Sequence, residues 1–288
     1  MTSSSNKVVL ITGATDGLGK AAAILLAERG YRVYAAGRSA EKRAALDQLA
    51  QTKKLPMKSL ELDVTSDDSV RTAIEKILAE AGQIDVLINN AGLGYMAVVE
   101  ELKMEDMRQQ FETNVFGVLR VTQAVLPQMR ERRSGRILMI SSVAGLVSPP
   151  TYGAYSASKH ALEGMSNALR LELYPFNIQV VLIEPGYIVT NFRQTVAELA
   201  KPYLDAAKSG PYAKVYSGAW NGANSSRNES KTTPEDCARV MLRAIEATSP
   251  RPRYGVTPLA RTVKFGKRLL SDKMMDSILR KKYGIGRG

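Results

Sequence analysis

Short apolar runs alternate with stretches of helical period along most of the chain. The runs at 7–12, 31–36, 57–62, 84–89, 136–141 and 178–183 are nearly continuous, as in strands covered on both faces. Between them, apolar positions recur at helical spacing over about 18–29, 41–51, 66–82, 105–132 and 154–174. Ser66 before Asp67-Asp68 and Thr233 before Pro234-Glu235-Asp236 are helix-capping signals. This alternation, with no break in composition, predicts one α/β domain over 1–288: a doubly wound parallel sheet with helices on both faces. One region interrupts the pattern. Residues 187–232 carry Tyr187, Phe192, Tyr203, Leu204, Tyr212, Tyr216 and Trp220, then turn polar. An insertion after a strand's carboxyl end sits where open α/β sheets bind ligands, so it reads as a lid or as a surface subdomain with its own small core.

Composition narrows the class. At 288 residues, 44% hydrophobic and 24% charged, the chain reads as an ordinary globular enzyme. One cysteine, Cys237, leaves no internal disulfide framework, and with a single histidine, His160, argues against zinc. No apolar run approaches the ~18 residues of a membrane span, and the opening 1–7 lacks the apolar core of a signal peptide, so the expected location is cytoplasmic. The Asn-x-Ser triplets at Asn224 and Asn228 then read as chance. The net charge of +12 is concentrated at the end: eleven Lys/Arg follow position 250, against Asp272 and Asp276. A basic tail of this kind does not make a nucleic-acid-binding body.

The turn Thr12-Gly13-Ala14-Thr15-Asp16-Gly17-Leu18-Gly19 follows the first predicted strand and opens a helix. Its glycines permit close backbone approach, so a pyrophosphate could rest on the helix N-terminus. About 20 residues further on, a carboxylate would suit the ribose 2′-hydroxyl of NAD. The chain has Arg38 there, whose guanidinium suits a 2′-phosphate and so favours NADP(H) over NAD(H). Asp16 and Glu41 work against a phosphate.

Tyr155 and Lys159 stand four apart, on one face of a predicted helix, with Ser142 upstream. An ammonium beside a phenol favours the phenolate, drawing down a pKa that starts near 10, and yields an acid/base that needs no histidine. A serine hydroxyl from a separate element could hydrogen-bond a carbonyl oxygen where charge develops. His160, about 100° around the helix from Lys159, reads as structural or exposed.

Taken with Asn89-Asn90-Ala91-Gly92, these motifs resemble the short-chain dehydrogenase/reductase family over roughly residues 7–190. The resemblance implies a Rossmann fold and hydride transfer between a nicotinamide and a carbonyl or carbinol carbon. It implies catalytic roles for Asn114, Ser142, Tyr155 and Lys159: a carbonyl hydrogen bond from Ser142, a proton from Tyr155, a lowered phenol pKa and a grip on the ribose from Lys159, and a water held by Asn114. Asn114 could equally satisfy backbone groups at a helix kink, and Ser142 could be a turn residue. The cofactor contacts implied are Gly13, Thr15, Asp16, Gly17, Leu18, Gly19, Arg38, Asp63, Val64, Asn90, Ala91, Gly92, Tyr155, Lys159, Pro185, Gly186, Ile188 and Thr190.

The expected substrate pocket combines Ser142 and Tyr155 with Leu93, Tyr95, Met96, Leu146, Tyr152, Tyr187 and Phe192. This lining favours a lipophilic ketone, aldehyde or secondary alcohol, as in family members that act on hydroxysteroids and retinoids. Met96 and Tyr152 could instead be packed in the core. A 3-ketoacyl-thioester reductase is the rival enzyme, and an NADP(H)-sensing interaction protein without turnover is the rival of another class. Family habit also implies a homodimer or homotetramer built on the long helices near 105–132 and 154–174.

In the extension 251–288, Met274, Met275, Ile278, Leu279 and Tyr283 recur at helical spacing after a cap at Ser271 or Asp272. Such a helix could pack on the domain or a sister subunit, or lie on an anionic membrane surface.

Overall fold

Seven strands lie parallel in one sheet, in the order β3-β2-β1-β4-β5-β6-β7. They are β1 (Val8–Ile11), β2 (Arg32–Gly37), β3 (Met57–Glu61), β4 (Val86–Asn89), β5 (Gly135–Ile140), β6 (Ile178–Glu184) and β7 (Arg253–Gly255). The computed structural model describes residues 6–229 and 231–286. The opening 1–5, Arg287 of the basic tail and the side chains of Asn224 and Asn228 lie outside the described residues.

The six predicted strands are present, five of them trimmed at one or both ends and the sixth, β6, one residue longer than predicted. The seventh, Arg-Tyr-Gly, is three residues long and lacks an apolar run, so periodicity could not reveal it. It pairs with the end of β6 through Leu182↔Arg253 and Glu184↔Gly255, so the segment assigned to an extension begins inside the sheet.

Alternation along β1 sends Val9 and Ile11 to one face and Val8 and Leu10 to the other, and each face is covered by helices. Over the first face lie α1 (Gly17–Glu28), α2 (Ala40–Lys53) and α9 (Pro234–Glu246), with Leu26, Leu46, Met241 and Ile245 buried against the strands. Cys237 is buried there, and burial pushes its thiol up to about 12, away from nucleophilic chemistry. Over the second face lie α3 (Asp67–Ala81), α5 (Gly117–Glu131) and α6 (Gly153–Glu172), contributing Ile74, Ile77, Val121, Val125 and Leu162 to the core, and α4 (Met104–Phe111) packs beside α6. Each fully buried side chain of this kind stabilises by about 1.5–3 kcal/mol.

Between α4 and α5 the helix widens into a π turn at Glu112–Phe116, where the Gly117 N–H reaches Glu112 O five residues back. The insertion folds as α7 (Phe192–Ala206) and α8 (Ala213–Glu229), which build a satellite core from Tyr203, Ala207 and Tyr216 with Tyr95 and Ala97. The chain closes with α10 (Pro258–Leu269) and α11 (Asp272–Lys282). Among the described residues, no helix is long and apolar enough to cross a membrane.

Both predicted caps form: Ser66 accepts from the Ser69 N–H, and Thr233 forms a reciprocal capping box with Asp236. Replacing Thr233 with alanine strands a helix donor at the start of α9, and urea denaturation is expected to register a loss of about 1 kcal/mol.

Candidate functional site

The strand order reverses between β1 and β4, and there the carboxyl ends of the sheet open a cleft of about 1130 Å³. Thr12, at the end of β1, binds the two walls together. Its buried Oγ1 accepts the N–H groups of Asn90 and Ala91, each at 3.0 Å. Asn90 Nδ2 returns bonds to Thr12 O at 3.0 Å and Gly13 O at 2.9 Å. Gly13 has φ +62°, and a Cβ there would lie 2.8 Å from Ala91 Cα, so only glycine fits this crossing. Gly19 does not line the cleft; it sits behind the turn, pressed against Asn90 and Gly13.

This half of the cleft has the form of a dinucleotide cradle. Gly13, Thr15, Asp16, Gly17 and Leu18 line it at the N-terminus of α1, where the helix dipole favours an anion. Arg38, Asp63, Val64, Asn90, Ala91, Gly92, Pro185, Gly186, Ile188 and Thr190 line it too. Arg38 directly follows β2 with its side chain 71% exposed, and its contact with Asp63 is loose at 3.8 Å. Asp16, the misfit noted in the sequence, is occupied elsewhere. It caps Gly17 N at 2.7 Å, pairs with Lys42 at 2.8 Å and accepts from Asn191 at 3.1 Å. Burial raises its carboxyl, but the bonds from Lys42, Asn191 and Gly17 outweigh that and hold it below the ordinary carboxylate range.

Ser142, Tyr155 and Lys159 come together in the middle of the cleft. Ser142 follows β5 and accepts from the Ala144 N–H at 3.1 Å, and its hydroxyl acts on the Tyr155 phenol in favour of the charged form. Lys159 lies one turn along α6 with Nζ 5.7 Å from the Tyr155 ring centroid, and donates to Ile140 O at 2.8 Å. The expected lowering of the phenol pKa is not found. Burial pushes Tyr155 up to about 12 against the opposing Ser142 bond, and burial brings Lys159 down to about 8. At neutral pH the pair is therefore a protonated phenol beside a cation, an arrangement suited to giving a proton to an oxygen held by Ser142.

Asn114 lies behind this group, in the π turn. It is fully buried: Oδ1 accepts from Leu93 N–H at 2.9 Å, and Nδ2 donates to Leu93 O at 2.9 Å and Ser158 Oγ at 3.1 Å. Gln110, one turn earlier and also fully buried, accepts from Tyr95 N–H at 2.9 Å and donates to Leu93 O at 2.8 Å. Together they fix the loop after β4 to α6. Gln110 carried no sequence signal beyond its four-residue spacing from Asn114.

A buried charge network supports the same helix. Glu163, one turn past Lys159, accepts from Ser141 and pairs with Arg253 of β7. Arg253 also pairs with the fully buried Glu184 at 2.7 Å and donates to Asn167 at 3.0 Å. The Glu163 carboxylate favours the charged form of Lys159. His160 bonds back to Ser156 O at 2.9 Å within the helix, in keeping with a structural part.

The other half of the cleft is apolar and aromatic. Leu93, Tyr152, Tyr187 and Phe192 line it as expected. Tyr152 meets Tyr155 edge to face at 6.4 Å, and Phe192 lies 5.9 Å from the Tyr155 ring. Three expected lining residues do not. Tyr95 and Met96, only 4% and 0% exposed, turn under the insertion and pack in the satellite cores. Leu146 does not line the cleft, whereas its neighbours Val143, Ala144 and Val147 do.

The tail supplies what was missed: Leu259 and Val263 of α10, with Leu279 and Lys282 of α11 and the following Tyr283. Tyr283 sits in a notch of α8, where a Cβ on Gly218 would be 2.0 Å from its carbonyl oxygen and one on Gly222 would be 2.6 Å from its ring. Its hydroxyl reaches that of Tyr187 at 3.4 Å. The helical spacing of these tail residues was legible, but not which surface they would meet.

Comparison with known proteins agrees with this geometry. The sequence profile described as short chain dehydrogenase matches residues 7–200. The chain is 36% identical over 284 residues to 3-ketodihydrosphingosine reductase of Bacteroides thetaiotaomicron, covering 97% of this chain and 98% of that one. It is 36% identical over 256 residues to human 17-beta-hydroxysteroid dehydrogenase type 1, covering 87% and 77%. A solved short-chain dehydrogenase from Streptomyces avermitilis superposes with a TM-score of 0.74 at 30% identity, covering 96% of this chain and 95% of that one.

Thr12→Val keeps the shape at the end of β1 but removes the acceptor for two amides. It is expected to lower stability by about 1–3 kcal/mol in urea unfolding, with the loss specific to the hydroxyl and recovered in Thr12→Ser.

Proposed function

This chain belongs to the short-chain dehydrogenase family, and we propose that it transfers hydride between NADP(H) and a lipophilic ketone, aldehyde or secondary alcohol. The observation that carries the reading is the meeting of Ser142, Tyr155 and Lys159 between a phosphate-cradling half-cleft and an apolar one. The exposed Arg38 at the end of β2, where NAD would call for a carboxylate, supports the phosphorylated cofactor. Relatives named for a ketodihydrosphingosine and a hydroxysteroid support a lipophilic substrate.

When bound, NADPH supplies hydride to the carbonyl carbon. The chain's own residues do the rest. Arg38 would hold the 2′-phosphate, and the N-terminus of α1 would hold the pyrophosphate. Ser142 donates to the carbonyl oxygen and holds it beside the Tyr155 hydroxyl. As the oxygen gains negative charge, Tyr155 gives it a proton, and the carbonyl becomes an alcohol. The charge of Lys159, desolvated beside the phenol, stabilises the phenolate left behind. Asn114 and Gln110 position the loop at Leu93 that walls the reacting centre. Leu93, Tyr152, Tyr187, Phe192 and the tail's Tyr283 enclose the hydrocarbon and exclude water.

The test is consumption of NADPH by the purified protein against ketones of graded chain length, with NADH in parallel. Turnover should rise with chain length and prefer NADPH. Tyr155→Phe should reduce kcat by about 10²–10⁴ without a matching change in NADPH affinity. No turnover with tight NADPH binding would favour a cofactor-sensing protein, and preference for NADH would remove the role given to Arg38.

The reduction also has a defined pH dependence. Lys159, with a pKa of about 8 in the free protein, is charged below that value and neutral above it, so kcat/KM should fall as pH rises through about 8. Glu163→Gln withdraws the anion that favours the charged lysine, and should move the fall to lower pH, read from kcat/KM–pH profiles of both proteins.

A further inference from the structure

We propose that α10 and α11 form a platform that seats the protein on an anionic lipid bilayer, with the apolar half of the cleft opening beside it. Two independent features of these helices lead there: what they expose and what they line.

Phe265 and Leu269, one turn apart on α10, are each 67% exposed. Met274 and Ile278, one turn apart on α11, are 52% and 50% exposed, and no residue within α11 is buried. Each pair forms a stripe along its helix, and only Leu270 and Ser271 separate the helices. An amphipathic helix that packs on its own domain hides such a stripe; these two present theirs outward.

Around the stripes stand the exposed cations Arg261, Lys267, Lys273, Arg280 and Lys281, against Asp272 and Asp276. Large apolar side chains flanked by lysine and arginine are the composition of a helix lying in a membrane interface, where the cations meet anionic headgroups. The same charge opposes a second copy of this chain on this face, since a two-fold contact would set like charge against like.

A second side of each helix meets the cleft. Leu259 and Val263 of α10, with Leu279 of α11 and Tyr283 beyond it, line the apolar half. Val263 and Phe265 are separated by about 200° around their helix, so α10 has one apolar side toward the cleft and another toward the outside. Lipid at the outer side would lie next to the cleft wall, giving a hydrocarbon substrate a short path that avoids water.

The test is co-sedimentation of the full chain with vesicles of phosphatidylcholine and phosphatidylglycerol, against vesicles of phosphatidylcholine alone, at low and high salt. Binding is expected to the anionic vesicles only, and to weaken with salt. The double variant Phe265→Asp, Ile278→Asp and the double variant Arg280→Ala, Lys281→Ala should each reduce the bound fraction roughly tenfold. Both should keep the wild-type circular dichroism spectrum, melting temperature and turnover of a water-soluble carbonyl, which separates lost docking from lost folding or chemistry. No binding to either vesicle, or binding unaffected by both variants, overturns the proposal. So does light scattering that shows the aspartate variant dissociating a wild-type oligomer, since the face would then belong to a second copy.

Discussion

Parallel pairing of the seven strands places every carboxyl end on one edge of the sheet, and each functional side chain depends on that register. The β1–β4 pairing brings Thr12 to Asn90 and Ala91, and the β5–β6 pairing sets Ser142 beside Pro185 and Gly186. A parallel sheet must be covered on both faces, so its central strands are mostly apolar and chemistry is left to the residues just beyond them. Slipping β4 by one residue would reverse its faces and separate Asn90 from Thr12.

Burial then sets the electrostatics of the centre. Tyr155 and Lys159 are each pushed toward the neutral form, the phenol up and the ammonium down. The lysine keeps charge near neutrality with help from Glu163, which is itself held by Ser141 and by Arg253 of β7. The short seventh strand thus reaches the reacting group through one ion pair and one turn of α6. At the other end of the cleft, Asp16 is compatible with a phosphate site because Lys42, Asn191 and the Gly17 amide already engage it.

Much of this was legible in the sequence, for identifiable reasons. Six strands announced themselves as apolar runs because they are buried on both faces. Thr12–Gly19, Ser142, Tyr155 and Lys159 were readable because each motif is local and its chemistry requires specific residue types. What failed was non-local. Arg253–Gly255 is too short and polar to signal a strand, yet β6 captures it. Tyr95 and Met96 follow a cofactor motif and look like rim residues, but the insertion covers them with Tyr203, Tyr216 and Val196. Tyr283 looked like one more apolar position of a tail helix, and only the notch at Gly218 and Gly222 brings it into the pocket. The phenol pKa was misjudged because charge proximity was weighed without burial, which here is the larger effect.

The proposed chemistry is direct hydride transfer at the Tyr155 centre. Incubating the protein with NADPH deuterated at nicotinamide C4 and a long-chain ketone, then locating the label by mass spectrometry, tests that most directly. Deuterium bound to the carbinol carbon of the product, absent with Tyr155→Phe, is the expected result. An unlabelled alcohol, or label retained on the cofactor while the protein holds it tightly, would contradict it.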